Sequence, residues 1–430
     1  MPAYDPEYEV IRDPLWDNIR LDAAAQLVLD TAVVQRLRYV RQLGHAFLVY
    51  PGATHTRFEH ALGAYHLTKR ALDSLAERGE LERVAEEDCR AVRLAGLLHD
   101  VGHYPFSHGL EEAGFPHHET LGVRKLTTGE LGQHLTELGG REFPKRIAAL
   151  VTGTSTSPLA GLISGSLDLD KIDYLSRDAR MCGVPYGMID VDRLLATLVL
   201  VETTPGRWQI GVQEKGISAL ESLLFAKYQM YRNVYWHHAV RAATCMFKRA
   251  VRAAVVDGTL GPAAVADATD DGLMERLLAH DPMGLARSIR TRRLHKRALD
   301  LPGSDAPADA QPWVADDPAL LERVEDLIAE RVGLEPGELL LDFPSRSTML
   351  GVDLPLRTRT GSVDRLTDAG RAGQLGLPRI AGELYQSARR LRLFAARPLP
   401  RALPERLVMD LLVTPADDLR RRLDDGDLAA

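Results

Sequence analysis

At 430 residues, with 45% hydrophobic and 26% charged side chains, the chain can form two or three domains or one large helical body with an appended lobe, and its composition excludes disorder. Its net charge of −7 offers no global positive field to a nucleic-acid backbone, so any polyanion must be met locally. Cys89, Cys182 and Cys245 are too few and too scattered for a disulfide framework or a CxxC metal site, the N-terminus MPAYDPEYEVIRD lacks the basic and apolar runs of a secretory signal, and no stretch of about 18 apolar residues occurs, so a cytoplasmic location without a membrane contact is expected.

In chain order, the alternation in EVIRDPLWDNIRLD predicts a short hairpin. Helical spacing then runs from Asp30 to Leu98, through Val33, Val34, Leu37, Val40 and Leu43, then Phe58, Ala61, Leu62 and Tyr65, then Val92, Ala95, Leu97 and Leu98. PGATHTR breaks the first two of these helices, and Gly102 with Pro105 ends the third. Further helices are expected over 167–180, 217–251 and 270–298. LPGSDAPADAQPW reads as a loop or linker, LLLDF and MLGVDLPLRT as short strands, and the remainder as Arg- and Leu-rich helix. The expectation is a mainly α fold divided into a helical core over 1–300, a linker over 301–318 and a C-terminal α+β lobe over 319–430.

Three blocks carry chemistry: RFEHALG (57–63), LLHDVGHYPFSH (97–108) and LDLDKIDYLSRD (167–178). A lone helical histidine is more often structural than functional. The adjacent His99-Asp100 pair differs, because it follows the apolar run LAGLL and so ends a buried helix, where an unpaired charge is costly and a cation is a natural compensation.

The order of these blocks, with QRLRYVRQLG before them and YQMYRNVYWHHAV after, strongly resembles the HD-domain deoxynucleoside triphosphate triphosphohydrolases, a family that includes bacterial dGTPases and a vertebrate dNTP-hydrolysing restriction factor. The similarity covers roughly residues 10–300, and the chain is expected to start directly with the HD part, without a helical recruitment domain in front. The resemblance implies an HD-domain helical core in which His60, His99, Asp100 and Asp170 bind a metal. Two imidazoles and two carboxylates suit one borderline divalent ion, Mn, Fe, Zn, Co or Ni, with Mg accompanying the nucleotide phosphates. Such an ion keeps positions open for water and substrate.

The same resemblance places His103, His108, Glu111, His118 and Glu119 on the catalytic side, with His108 protonating the departing 5′-oxygen and Glu111, where some relatives carry Asp, paired with His118. An alkoxide leaves poorly, so a general acid of near-neutral pKa makes chemical sense. Arg57 and Lys171 match positions that meet the α-phosphate, and Lys227 a position on the outer phosphates. Gln42 and Asp178 match residues on the sugar 3′-hydroxyl, and Leu43, Tyr174 and Tyr235 those that wall off the 2′ position. Asp30, Gln35 and Arg38 match an activator site that reads a guanine base, completed by Arg292 and Lys296 from another subunit, although Arg12 replaces a polar amide residue there.

The implied activity is hydrolysis of a dNTP to deoxynucleoside and inorganic triphosphate, by a metal-activated water attacking the α-phosphorus in line with the 5′-oxygen. Its implied partners are the dNTP, an activating nucleotide and further copies of the chain in a dimer or tetramer. Two alternatives stand beside it: an HD phosphohydrolase acting on a nucleoside monophosphate, a cyclic dinucleotide or an alarmone, and a binding module in which RSIRTRRLHKR contacts nucleic acid. The candidate proton donor and Lys171 disfavour the binding module, since a structural metal site needs neither.

Overall fold

In the computed structural model, which describes residues 8–307, 309–344, 353–366, 376–399 and 402–425, the N-terminal runs pair as the expected hairpin, Glu9–Asp13 antiparallel to Asp17–Leu21. The fold is mainly α, with an HD-type helical core, this small hairpin, and a C-terminal region of strands and helices.

The helix Arg57–Glu77 begins where Glu59 accepts a hydrogen bond from the backbone N–H of Thr56 at 2.5 Å, a capping box that fixes its first turn. Phe58, Ala61, Leu62, Tyr65 and Leu72 line its buried face at helical spacing, and it packs on the helices Glu86–Leu98 and Leu169–Cys182. The second of these ends in the dyad, with His99 at its C-cap. The third starts at Asp168, whose carboxylate accepts from the Lys171 N–H at 3.0 Å. These three helices bring the three sequence blocks together.

The structure corrects several expected elements. The spacing of Val33 to Leu43 is not one helix: it becomes the short helix Ala32–Gln35 and the turn Arg36–Tyr39, after which Val40 is extended and Arg41 bridges to Thr56. The expected helix over 217–251 is two helices, Ile217–Met230 and His238–Val256, joined through a π-helical turn at Tyr231–Tyr235. The series over 270–298 is the helices Asp270–Ala279 and Leu285–Arg290, followed by the strand Lys296–Pro302. That strand enters the expected linker, which also contains the helical turn Trp313–Asp316 and the start of the helix Pro318–Arg331.

A hairpin not anticipated, Leu198–Thr204 with Arg207–Gln213, is extended by Pro355–Arg357 and Val363–Arg365 into a four-stranded sheet. Of the expected strands, LLLDF provides Leu339–Asp342 and MLGVDLPLRT provides Pro355–Arg357, its residues 349–352 lying outside the described ones. Leu339–Asp342 and Lys296–Pro302 both pair with Arg390–Ala395, a strand in the region read as helix. That three-stranded sheet lies across residue 300, and the helix Leu377–Ala388 packs into the main core through Leu377, Ala381 and Tyr385.

Candidate metal centre and active site

His60 is fully buried, and its ring is oriented from behind: Nδ1 lies 2.8 Å from Asp173 Oδ2. His99 is oriented likewise, Nδ1 lying 3.0 Å from the Gly96 carbonyl. Both imidazoles therefore direct Nε2 to the same point, where the two nitrogens are 3.1 Å apart and Asp170 Oδ1 stands 2.8 Å and 3.4 Å from them. Two imidazole nitrogens and a carboxylate oxygen within 4.8 Å of one another, with the far nitrogens tied to acceptors, fit a divalent cation.

Asp100 is set beside this triad, Oδ2 3.7 Å from His60 Nε2 and Oδ1 3.4 Å from His99 Nε2, and it also accepts from the Arg57 guanidinium. Burial opposes a charge on His60, but hydrogen bonds and attraction from Asp170 and Asp173 outweigh it and raise the imidazole to about 10. Burial likewise opposes ionisation of Asp100, and Arg57, His99 and His103 hold its carboxyl well below the usual range nonetheless. Carboxylates in this number around two imidazoles call for positive charge.

The outer face of Asp100 leads to the second group. Its Oδ1 lies 3.2 Å from His103 Nε2, and the His103 ring stacks on His118 at 3.6 Å between centroids. Glu111 Oε1 is 2.7 Å from His118 Nδ1 and 3.3 Å from His108 Nδ1, while Glu119 stands farther off, at 3.6 Å from His118 Nδ1. The pairing of Glu111 with His118 thus closes despite the longer arm. His108 is exposed because the backbone ahead of it turns sharply: Phe106 and Ser107 both adopt left-handed conformations, at φ 56° and 66°. Each costs about 1–3 kcal/mol for a residue with a side chain. They are held by Asp270, which accepts from the Phe106 N–H at 2.8 Å, and by the Ser107 hydroxyl, which donates to the Gln42 carbonyl at 3.0 Å.

The remaining substrate candidates divide in two. Tyr174, Tyr235 and Asp178 gather on one side: the tyrosine rings are 6.3 Å apart, Tyr174 is 6.4 Å from the His60 ring, and Tyr235 donates to Asp178 Oδ2 at 2.7 Å. Gln42 is buried beside Ser107, its side-chain carbonyl without a partner among the described residues, and Leu43 packs partly into the core. The cations are less free than expected. Arg57 is buried on Asp100 and Ser107, and Lys171 is tied to Asp168 and, at 2.7 Å, to the Gly165 carbonyl. Lys227 is the exception, buried with no hydrogen bond or ion pair among the described residues and only the Tyr231 ring at 5.9 Å.

An HD domain model matches residues 57–178, and an HD associated region model follows over residues 189–369. The chain belongs to the HD superfamily. It is 37% identical over 292 residues to an uncharacterized protein of Methanocaldococcus jannaschii, covering 68% of this chain and 59% of that one. It is also similar to deoxynucleoside triphosphate triphosphohydrolases, 31% identical over 53% of this chain and 46% of the homologue from Dictyostelium discoideum, and 27% identical over 53% of this chain and 42% of the human enzyme. The chain spans somewhat over half the length of the first of these curated relatives and less than half of the triphosphohydrolases. Among solved structures, a hypothetical protein from Aquifex aeolicus superposes with a TM-score of 0.70 at 27% identity, covering 94% of this chain and 100% of that one.

Three residues of the HD site were not singled out from the sequence. Asp173 orients His60 and is itself held by Arg177 Nε and Nη2, both at 2.9 Å, and by Trp16 Nε1 at 2.5 Å. Its signal was present, three residues after Asp170 on the same helix. Arg177 is held in turn by Asp13 at 2.8 Å. His55, read only as part of a helix-breaking run, places Nε2 2.7 Å from Asp178 Oδ1. Of the candidate activator residues, Arg38 donates to Gln35 Oε1 at 2.8 Å and covers the Phe58 ring, Asp30 is exposed, Arg292 donates to the Leu48 carbonyl at 2.7 Å, and Lys296 is exposed at the start of its strand.

Gly63 is the glycine of RFEHALG, and a Cβ there would lie 1.9 Å from Asp173 Oδ1 and 2.5 Å from Arg177 Nη2. Gly63→Ala should therefore destabilise the protein, because displacing this pinned pair costs about 1–3 kcal/mol and more than offsets the gain of up to about 1 kcal/mol from alanine in a helix. Urea unfolding measures it. A variant more stable than the parent would show that the Asp173 shell is soft.

Proposed function

We propose that the protein is a metal-dependent phosphohydrolase that converts deoxynucleoside triphosphates to the deoxynucleoside and inorganic triphosphate, with His60, His99, Asp100 and Asp170 as metal ligands. The observation that carries this reading is Lys227, a buried ammonium without a counterion among the described residues, whose electrostatic neighbours are Lys171, Asp168 and Asp170. Burial, reinforced by Lys171, lowers it to about 8, so an anion brought alongside is strongly favoured. A polyphosphate beside Lys227 supplies that anion, and a divalent cation would offset its charge against Asp170.

A divalent ion, when bound, supplies Lewis acidity at the phosphoryl oxygens and a lowered pKa for water. The rest falls to the chain's own residues. Arg57 and Lys171 stabilise charge at the α-phosphate, and Lys227 binds the outer phosphates. As water oxygen bonds to the α-phosphorus and that water releases a proton to solvent, the bond to the 5′-oxygen breaks, and His108 delivers its own proton to that oxygen, its Nδ1 steadied by Glu111. Glu111 also holds His118, so the loop presents one acid and its support together.

The test is to load the protein with Mn, Fe, Zn, Co or Ni, supply each dNTP alone and in mixtures, and separate the products. Triphosphate and deoxynucleoside in equal amounts are expected. Orthophosphate or pyrophosphate instead, or turnover confined to monophosphates, cyclic dinucleotides or alarmones, overturns the reading.

With Leu43, Tyr174 and Tyr235 as the sugar wall, kcat/KM for dGTP should exceed that for GTP by about tenfold or more, since a pocket clash costs about 1–3 kcal/mol. Equal values would remove the deoxyribose assignment and leave the phosphohydrolase. We also propose that Asp30, Gln35 and Arg38, with Arg292 and Lys296 of a second copy, hold an activating nucleotide that stabilises an oligomer. Turnover with mixed dNTPs should then depend on protein concentration in the parent and not in Arg38→Ala, as mass and rate measured together will show.

A further inference from the structure

The loop 107–117, which carries His108 and Glu111, is fastened at its far side to the helix His238–Val256 and, through it, to residues more than two hundred positions away. Glu112, next to Glu111, accepts from both Arg241 terminal nitrogens, at 2.9 and 2.8 Å, and from Lys248 at 3.0 Å. The same Arg241 guanidinium, buried in the helix His238–Val256, reaches on to Asp342 at 2.6 Å, on the strand Leu339–Asp342. One residue further along the loop, the Ala113 carbonyl accepts from Arg252 Nη1 at 3.0 Å, and Arg252 Nε donates to Glu322 at 2.6 Å, on the helix Pro318–Arg331.

Arg241, Lys248 and Arg252 stand seven and four residues apart, on one face of their helix, so a single element carries both straps. Apolar packing of Leu110 and Phe115 and a hydrogen bond from the Tyr104 hydroxyl to the Pro116 carbonyl at 2.9 Å hold the body of the loop, and the two straps add its charged fastening. Its inner side begins in the two left-handed residues Phe106 and Ser107, a conformation that persists only when the surroundings hold it.

We infer that Glu322 and Asp342 of the C-terminal region are positioning residues, acting through Arg252 and Arg241 on Ala113 and Glu112 to set Glu111 against His108 and His118. They touch neither the metal ligands nor Lys227. The inference rests on the reading of His108 and Glu111 as the proton-delivering pair. It states that the C-terminal region contributes to the chemical step and not to metal or nucleotide binding.

Asp342→Asn and Glu322→Gln, singly and together, keep side-chain volume and leave Arg241 its bond to Glu112 and Arg252 its bond to the Ala113 carbonyl, so they spare the fold where Arg241→Ala would take from Glu112 and Asp342 the buried guanidinium they share. In the metal-loaded full chain, the double variant should lose about tenfold or more in kcat with KM for dGTP within about twofold and metal content unchanged. In the zinc-loaded, 15N-histidine-labelled protein, the His118 and His108 ring resonances should move while those of His60 and His99 stay. Unchanged kcat with unchanged His118 and His108 resonances overturns the inference, as does a loss that appears in KM or metal content. If the parent turns over no dNTP, the dNTP reading fails, and the histidine resonances alone decide whether the straps position the loop.

Discussion

His99→Ala should leave a folded protein that retains less than about a tenth of the parent's metal and turns over about a thousandfold more slowly, since even residues one step removed from a metal change affinity by about 10–100-fold. His99 gives little else to the structure: its Nδ1 meets one backbone carbonyl, and it lies at a helix end. Asp100 is different. It is the buried counterion of Arg57, which is 3% exposed, and its removal strands that guanidinium, a loss of about 3–5 kcal/mol. The double change His99→Ala with Asp100→Ala should therefore lose metal and stability together, whereas His99→Ala alone separates them. Metal content, urea unfolding and dNTP turnover measured on both variants check this. Full turnover in metal-free His99→Ala would end the assignment of the metal centre.

Asp173→Asn should produce the second large effect, although Asp173 touches no substrate. An asparagine must aim its NH2 either at Arg177, a donor, or at His60 Nδ1. The second choice drives the imidazole proton to Nε2, the nitrogen that faces His99 and Asp170. Either way metal affinity should fall about 10–100-fold, and stability by about 3 kcal/mol, since Arg177 keeps only Asp13. The loss has a pH signature. Burial raises the Asp173 carboxyl, but Arg177 and His60 outweigh it and hold it well below the ordinary value. Its stabilisation is thus complete above the unfolded pKa of about 3.9 and is lost as pH falls below that. The stability gap between parent and variant should be flat from about pH 5 to 8 and narrow toward pH 3. A gap that narrows upward instead would place the charge elsewhere.

How far the sequence discloses this molecule depends on how local the cause is. The helices that bear His60, His99 and Asp170 are legible because apolar spacing, caps and motif order agree over single segments. Val33 to Leu43 shows helical spacing but breaks at Val40, because Arg41 answers to Thr56 and Asp270, partners that no local pattern reveals. The strands Leu198–Thr204 and Arg207–Gln213 were hidden between strong helical patterns, and the alternation in Arg207–Gln213 is weak. The π turn at Tyr231–Tyr235 carries no compositional mark at all. Within the site, the blocks suggest roles for residues that would meet a metal or substrate, whereas His55 and Arg177, the latter inside a block, act through other side chains, and their parts emerge only from three-dimensional neighbours.

The straps on the loop 107–117 also bear on how the protein is made. Synthesis runs from the N-terminus, and when His118 leaves the ribosome the partners that fasten its loop, Asp342 and Glu322, have not been translated. At roughly 5–20 residues per second, between about ten and forty-five seconds pass before both exist. During that interval a nascent chain has every histidine of that loop and neither C-terminal anchor, so the helices of the HD core can settle on the ribosome while the loop waits for its anchors to be translated.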